Sequence, residues 1–125
     1  MADDGHADVV ERHRQGRVEI LAVRVAEIYQ ADVIHRIGHA VRQAFSDAEA
    51  ASFVLDLSEV AFLTSGALGM IIHLRSQLVE QGRGLALAGA GGDVARVIAC
   101  TRLAEIMPVY PSVEAAVREL GGAEP

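Results

Sequence analysis

Residues 53–72 read FVLDLSEVAFLTSGALGMII, and this stretch decides the fold. The apolar run Ser52–Leu57, which contains one acid near its end, predicts a short buried strand. Apolar residues then recur along Ser65–Gln81 at the spacings of three and four that mark a helix, and Gly82 stops it. The stretch therefore predicts a strand, a short loop and a helix in direct succession.

The hydroxyl pair Thr64-Ser65 stands where the predicted helix begins. The first N–H groups of a helix have no partner within the helix, and its amino end carries a partial positive charge. A hydroxyl at this position either caps the helix or, when phosphorylated, has its added anion stabilised. The residue types alone favour a plain N-cap.

Upstream of this unit, the sequence predicts a hairpin and an amphipathic helix. Val9–His13 and Arg17–Val25 are separated by the turn residues Gln15-Gly16, which is typical of two antiparallel strands. The second strand is apolar on both faces, which indicates an interior place in a sheet. Ala31–Phe45 repeats apolar residues at helical spacing.

Downstream of the unit, the alternation of strands and helices continues. We expect a buried strand at Leu85–Ala88, a helix capped by Asp93 that runs to about Cys100, a short strand at Met107–Tyr110, and a closing helix that Ser112 caps and that ends at Leu120. The order predicts an α/β fold with a mixed, mostly parallel sheet entered through an N-terminal hairpin. Residues 1–125 are predicted to form a single domain, with frayed ends at 1–7 and 121–125.

Composition excludes several chemistries. The chain has 125 residues, 51% hydrophobic and 22% charged, which suits one globular domain. It contains neither Lys nor Asn, and all 11 basic residues are Arg. A Walker-A phosphate loop, a Schiff-base lysine and a protein-kinase site therefore cannot be built from this chain alone.

Charge and hydropathy bear on the compartment and on the partners. The formal net charge of −6 argues against non-specific nucleic-acid binding, which requires a basic face. The most membrane-like run, Val60–Ile72, falls well short of the roughly 20 residues that span a bilayer. The acidic start lacks the apolar core of a signal peptide. We therefore expect a cytoplasmic protein that is not embedded in a membrane.

The ordered set of motifs resembles the STAS domain family, the fold of bacterial anti-sigma factor antagonists and of the cytoplasmic tails of sulphate transporters. Leu55–Val60 followed by Phe62 is similar to the family's apolar-Asp-Leu-Ser/Thr-x-Val-x-Phe segment, and Thr64–Gly69 stands where the family has Asp-Ser-Ser-Gly-Leu-Gly. The next strand and helix match at Gly84–Ala88 and Val94–Leu103, and the closing pair at Glu105–Tyr110 and Ser112–Ala116.

The resemblance implies a STAS fold in which four helices pack mainly on one face of the sheet. It also implies a binding module without catalytic activity or cofactor. In antagonists of this type, the unphosphorylated domain binds an anti-sigma factor that is also a serine kinase, so the sigma factor is released. Phosphorylation of the serine just before the family's Gly-Leu reverses this binding, because it adds about −1.5 to −2 charges at the contact.

The chain departs from the family at the switch itself. Aligned without a gap, Thr64 replaces the family's Asp, Ser65 matches its first serine, and Gly66 falls on the phosphoacceptor position. Ala67 replaces the motif's Gly, and Tyr29 stands where many antagonists have Asp. Since Gly66 cannot carry a phosphate, Ser65 and then Thr64 are the substitute candidates.

The resemblance predicts the partner-binding face of an anti-sigma factor/serine kinase complex. Its members are Ser58, Glu59, Thr64, Ser65, Gly66, Ala67 and Leu68. Two alternatives remain: a stand-alone STAS accessory subunit that docks on a membrane transporter, and a small-ligand-binding STAS domain. The oligomeric state is left open.

Other groupings favour structural roles over chemistry. His35 and His39 share a helix face at a metal-compatible spacing, but a solvated surface is the favoured interpretation, because the sequence offers no convincing third ligand. We expect His73 to be partly buried and Cys100 to be a small buried hydrophobe. The loop Gly89–Gly92 is interpreted as a turn. Ser65 and His73 would lie about 12 Å apart along one helix, too far for proton transfer, so no enzyme is predicted.

Overall fold

The computed structural model describes residues 9–46 and 49–121. Within them the elements are β1 (Val10–Gln15), β2 (Val18–Val23), β3 (Glu27–Ile28), α1 (Ala31–Ala44), β4 (Ser52–Asp56), β5 (Phe62–Leu63), α2 (Ser65–Glu80), β6 (Gly84–Ala88), α3 (Gly92–Cys100), a 3-10 turn (Leu103–Glu105), β7 (Val109–Tyr110) and α4 (Val113–Leu120). The predicted frayed ends, apart from Gly121, lie outside the described residues.

The main sheet has the strand order β1-β2-β4-β6-β7. Strands β1 and β2 pair antiparallel, and every other neighbouring pair is parallel. Gly16 turns the hairpin with a φ of 61°, a conformation that glycine adopts without strain. The mixed, mostly parallel sheet with an N-terminal hairpin is confirmed, and β2 lies inside it as predicted.

The two faces of the sheet bury cores of different size. Leu21, Phe53 and Leu87 belong to the large core, which also contains buried residues of α1, α2 and α3. Residues of opposite side-chain direction, such as Val54, form the small core beneath α4. Three helices thus cover one face and one covers the other, which confirms helices packed mainly on one face.

A second, two-stranded sheet joins β3 and β5 in parallel and was not predicted. Each of its strands has two residues, too few for a period of two to show in the sequence. Hydrogen bonds extend the pairing at both ends: Ala61 N–H donates to Ala26 O at 2.7 Å and Thr64 N–H to Ile28 O at 3.1 Å. This small sheet anchors the chain just before α2 begins.

Two predicted burials are wrong, because both side chains lie on the solvent side of their helices. Cys100 is exposed and follows the buried Ile98 by two residues, which turns it about 200° around the helix axis. His73 is exposed for the same reason, two residues after the buried Ile71. Apolar neighbours in sequence therefore do not bury either side chain.

The predicted N-cap of α3 is also wrong. The helix begins one residue earlier, at Gly92, with Gly91 in the cap position and no side-chain cap. Asp93 lies in the first turn, where its carboxylate pairs with Arg96 at 2.6 Å and favours the positive end of the helix. Ser112 does cap α4 as predicted, since its hydroxyl accepts from Ala115 N–H at 3.1 Å.

Candidate functional site

The candidate site lies beyond the carboxyl ends of β4 and β6, where loops often carry function on parallel sheets. At the end of β4, Asp56 Oδ1 accepts a hydrogen bond from Ser58 N–H at 3.0 Å. After β6, Gly89 adopts a φ of 79°, and a Cβ placed there would meet Asp56 Oδ1 at 3.1 Å and Ser58 Cβ at 3.2 Å. The positive φ and this close approach together account for glycine at position 89.

Thr64 caps α2, as predicted. Its extended backbone leads into the helix, and its Oγ1 accepts a hydrogen bond from Ala67 N–H at 3.4 Å. The side chain is half-buried, whereas the neighbouring Ser65 is exposed. Of the two candidate phosphoacceptors, Ser65 therefore offers the more accessible hydroxyl.

Gly66 is exposed in the first turn of α2 and leaves room for a side chain. A Cβ at this position would lie 3.6 Å from both Ile34 Cδ1 and Thr64 Oγ1, which is ordinary van der Waals contact. The first turn of α2 contains no acidic residue. An added hydroxyl or anion would therefore fit beside the positive end of the helix.

The remaining predicted face residues divide by exposure. Ser58 and Glu59 are exposed, whereas Ala67 and Leu68 are buried in the large core. The side chains of this buried pair hold α2 in place and do not face solvent.

An ion-pair chain ties the loop after β4 to the hairpin. Arg24 Nε donates to Glu59 Oε1 at 3.0 Å, and the same guanidinium pairs with Glu11 on β1. The hydrogen bond to Glu59 is the largest cause that raises the pKa of Arg24, followed by the two carboxylate charges. Glu59 is thus already engaged within the chain.

An exposed aromatic pair adjoins the start of α2, and sequence reasoning did not assign it to the site. Tyr29 is 52% exposed and Phe62 48%, with ring centroids 6.5 Å apart at an edge-to-face angle of 63°. The alternation Glu27-Ile28-Tyr29, with only Ile28 inside, is the signal that could have revealed it. Rings so exposed are typical anchors of protein contacts.

In residues 9–46 and 49–121, no three His, Cys, Asp or Glu side chains are grouped to hold a metal ion. Of the helices in this part of the chain, none has the length and hydrophobicity that a membrane-spanning segment needs.

Comparison with known proteins identifies the domain. The family model of the STAS domain matches residues 11–116. No curated protein matches the chain.

Solved structures share the fold at low sequence identity. An anti-sigma factor antagonist from Mycobacterium paratuberculosis is similar with a TM-score of 0.79 and 22% identity, over 94% of this chain and 97% of that one. An anti-sigma-factor antagonist (STAS) domain protein from Planctomyces limnophilus gives 0.77 and 16%, over 90% and 97%. The murine Solute Carrier 26 family member A9 anion transporter gives 0.70 and 20%, over 82% of this chain but 17% of that one.

Proposed function

This chain belongs to the STAS domain family, and we propose that it acts as an anti-sigma factor antagonist in a partner-switching pathway. Its partner is an anti-sigma factor that is also a serine kinase. The observation that carries the proposal is the exposed start of α2, where Ser65 and Gly66 face solvent beside two exposed aromatic rings. The role is non-catalytic and belongs in the cytoplasm.

The match to antagonist structures over nearly their full length supports this role. The two antagonist structures match this chain over 97% of their own length. The transporter matches over 17% of its length, so the likeness there covers one part of a larger protein.

The proposed partner face combines the exposed predicted residues with the aromatic pair. Its exposed polar side chains are those of Ser58, Glu59 and Ser65, next to the half-buried Thr64 and the open position at Gly66. Ala67 and Leu68 support the face from the core. Exposed aromatic rings supply its anchor, because tyrosine and similar large side chains dominate the binding energy of many interfaces.

Ser65 is the proposed phosphoacceptor, with Thr64 second. The Ser65 hydroxyl is exposed at a helix start without acids, whereas the Thr64 oxygen already accepts a hydrogen bond. A phosphate on Ser65 would be stabilised in the free chain by the helix terminus and would place about −1.5 to −2 charges against the partner. Phosphorylation would therefore weaken the complex without unfolding α2.

The binding test uses purified anti-sigma factor/serine kinases encoded in the same genome, measured by calorimetry. Ser65→Glu is expected to lower the affinity by about 30-fold, since a charge facing a formed contact costs about 2 kcal/mol. Ser76→Glu, an exposed serine near the other end of α2, serves as the matched control and should leave binding unchanged. The proposed face is wrong if Ser65→Glu and Gly66→Arg both bind like the unmodified chain.

The switch is tested by incubating the complex with ATP and mapping phosphate by mass spectrometry. We expect label on Ser65, lost in Ser65→Ala. Because the structure has room for a side chain at position 66, Gly66→Ser should gain a label there in the Ser65→Ala background. Binding without any label on the unmodified chain would contradict phosphorylation control and indicate a constitutive antagonist.

The structural similarity to the transporter supports a second candidate function, that of an accessory subunit that docks on a membrane transporter. Its test is binding to the cytoplasmic part of a transporter encoded beside this chain. Binding there, together with no complex with any of the kinases, would replace the proposed function. A ligand retained in native mass spectrometry would instead favour the small-ligand-binding alternative.

A further inference from the structure

We infer that Glu27, Tyr29 and Phe62 form a receptor for an arginine side chain of the protein partner. The receptor depends on the proposed function in one respect, namely that the protein partner binds at this face. It specifies the chemistry of the contact: two aromatic rings and a carboxylate together bind a cation.

The register of the small sheet brings the three side chains to one surface. In the parallel pairing of β3 and β5, Glu27 stands opposite Phe62, and Ile28 stands opposite Leu63. The second pair is buried, so the alternation of strand side chains turns the first pair outward. Tyr29 is also exposed and completes the surface through its contact with the Phe62 ring.

The arrangement of the rings leaves aromatic surface open to a cation. The edge-to-face angle of 63° prevents the rings from covering each other, and about half of each residue is exposed. A guanidinium or ammonium within about 6 Å of a ring centroid is attracted by the negative face of the ring. Elsewhere in the chain this contact exists already, with the Arg83 guanidinium 5.1 Å from the Phe53 ring centroid.

The negative charge of Glu27 beside the rings favours binding of a cation from outside the chain. Glu27 is exposed and stands opposite Phe62 in the strand pairing. Glu27 forms no ion pair with another of the described residues, whereas Glu11 and Glu59 both pair with Arg24. A partner's basic side chain would supply the missing positive charge.

Arginine fits this surface better than lysine. Its planar guanidinium stacks on an aromatic face and donates two parallel hydrogen bonds to a carboxylate, whereas the lysine ammonium is a more strongly hydrated point charge. An apolar partner side chain would use the rings alone and leave the Glu27 carboxylate unpaired. An arginine, a lysine and an apolar side chain in the receptor therefore predict different orders of affinity for small peptides that carry these side chains.

The test is an NMR titration of the full chain, labelled with 15N, against acetyl-Gly-X-Gly-amide peptides in which X is arginine, lysine or norleucine. The arginine peptide should shift the amides of Glu27, Tyr29 and Phe62 and bind at least about 3-fold more tightly than the norleucine peptide. Lysine should fall between them. Equal affinities, or shifts that map to another surface, would overturn the receptor.

Matched variants separate the contributions of the carboxylate and the ring. Glu27→Gln and Phe62→Leu should each lower the affinity for the arginine peptide by about 3-fold. Glu80→Gln, an exposed acid at the far end of α2, should leave it unchanged. Unchanged affinity in both receptor variants would overturn the assignment. Since no kinase takes part in this titration, its failure is distinguishable from failure of the proposed function.

Discussion

Helices α2 and α3 follow neighbouring parallel strands of the sheet, yet their ends are built in opposite ways. The start of α2 is capped by the Thr64 hydroxyl, and its end passes through Gly82 with a φ of 74°. The start of α3 has Gly91 and no side-chain cap, and its end passes through Arg102 with a φ of 61°. Helix α2, which carries the candidate site, is therefore the one with a residue at each end that favours that position: Thr64 as the cap and Gly82 at the positive φ.

The hydrogen bonds at the carboxyl ends show the same difference. After α2, Gly82 N–H donates to Val79 O at 3.0 Å and Arg83 N–H to Leu78 O at 2.9 Å, the paired bonds of a Schellman motif. After α3, Arg102 N–H donates to Ala99 O at 3.3 Å from a backbone that disfavours a side chain. Both ends of α2 are therefore closed by hydrogen bonds from residues that favour those positions.

The largest expected effect comes from the turn that leads into α3. Gly89→Ala should lower the free energy of unfolding by about 2 kcal/mol, because the new Cβ is strained at positive φ and crowds Asp56 and Ser58. Gly92→Ala, also at a positive φ but with nothing within 4 Å of its Cβ, is the control and should lower the free energy of unfolding by only about 1 kcal/mol. Urea unfolding followed by circular dichroism measures both; equal losses would show that the close approach is unimportant.

Removing the glycine at the end of α2 should have the next largest effect. Gly82→Ala should lower the free energy of unfolding by about 1.5 kcal/mol, since a Cβ is disfavoured in the left-handed conformation even in open space. Gly84→Ala, likewise in open space but without a positive φ, is the matched variant for the same unfolding measurement. A smaller loss in Gly82→Ala than in Gly84→Ala would contradict the explanation.

The start of α2 should respond to loss of its cap. Thr64→Ala is expected to lower the free energy of unfolding by about 1 kcal/mol, because the Ala67 N–H loses its acceptor. Thr64→Ser keeps the acceptor and should retain most of the stability. Thermal unfolding distinguishes them, and equal destabilisation by both variants would rule out capping as the cause.

The smallest effect has the opposite sign. Arg102→Gly at the end of α3 should raise the free energy of unfolding by about 0.5 kcal/mol, because relief of the left-handed backbone outweighs the added chain entropy and the loss of an exposed ion pair with Glu105. Arg96→Gly, inside the same helix, should instead destabilise. A loss of stability in Arg102→Gly would remove the contrast between the two helices.

The regular elements were predictable because long apolar patterns determine them. Ala31–Phe45 and Ser65–Gln81 each show several helical repeats, and the structure places α1 and α2 there with small changes at the ends. The Thr64 cap followed from the same pattern. Cys100 and His73 were misassigned because their apolar neighbours in sequence lie on other sides of the helix, and only the position within the helical repeat gives the direction of a side chain.

The unpredicted part of the candidate site depends on contacts between distant segments. Tyr29 and Phe62 lie on separate two-residue strands, and only the pairing of those strands brings the rings together. The fit of Gly89 against Asp56 likewise joins two loops and leaves no local pattern in the sequence. The sequence shows which residue types stand at these positions, but it does not show that the residues lie close together.

The position of Tyr29 has a spectroscopic consequence. The chain contains no tryptophan and two tyrosines, and the other one, Tyr110, packs against the small core. Intrinsic emission therefore originates partly at the exposed ring pair. In a Tyr110→Phe background Tyr29 becomes the only tyrosine, so tyrosine emission of the unlabelled chain reports occupancy at this surface.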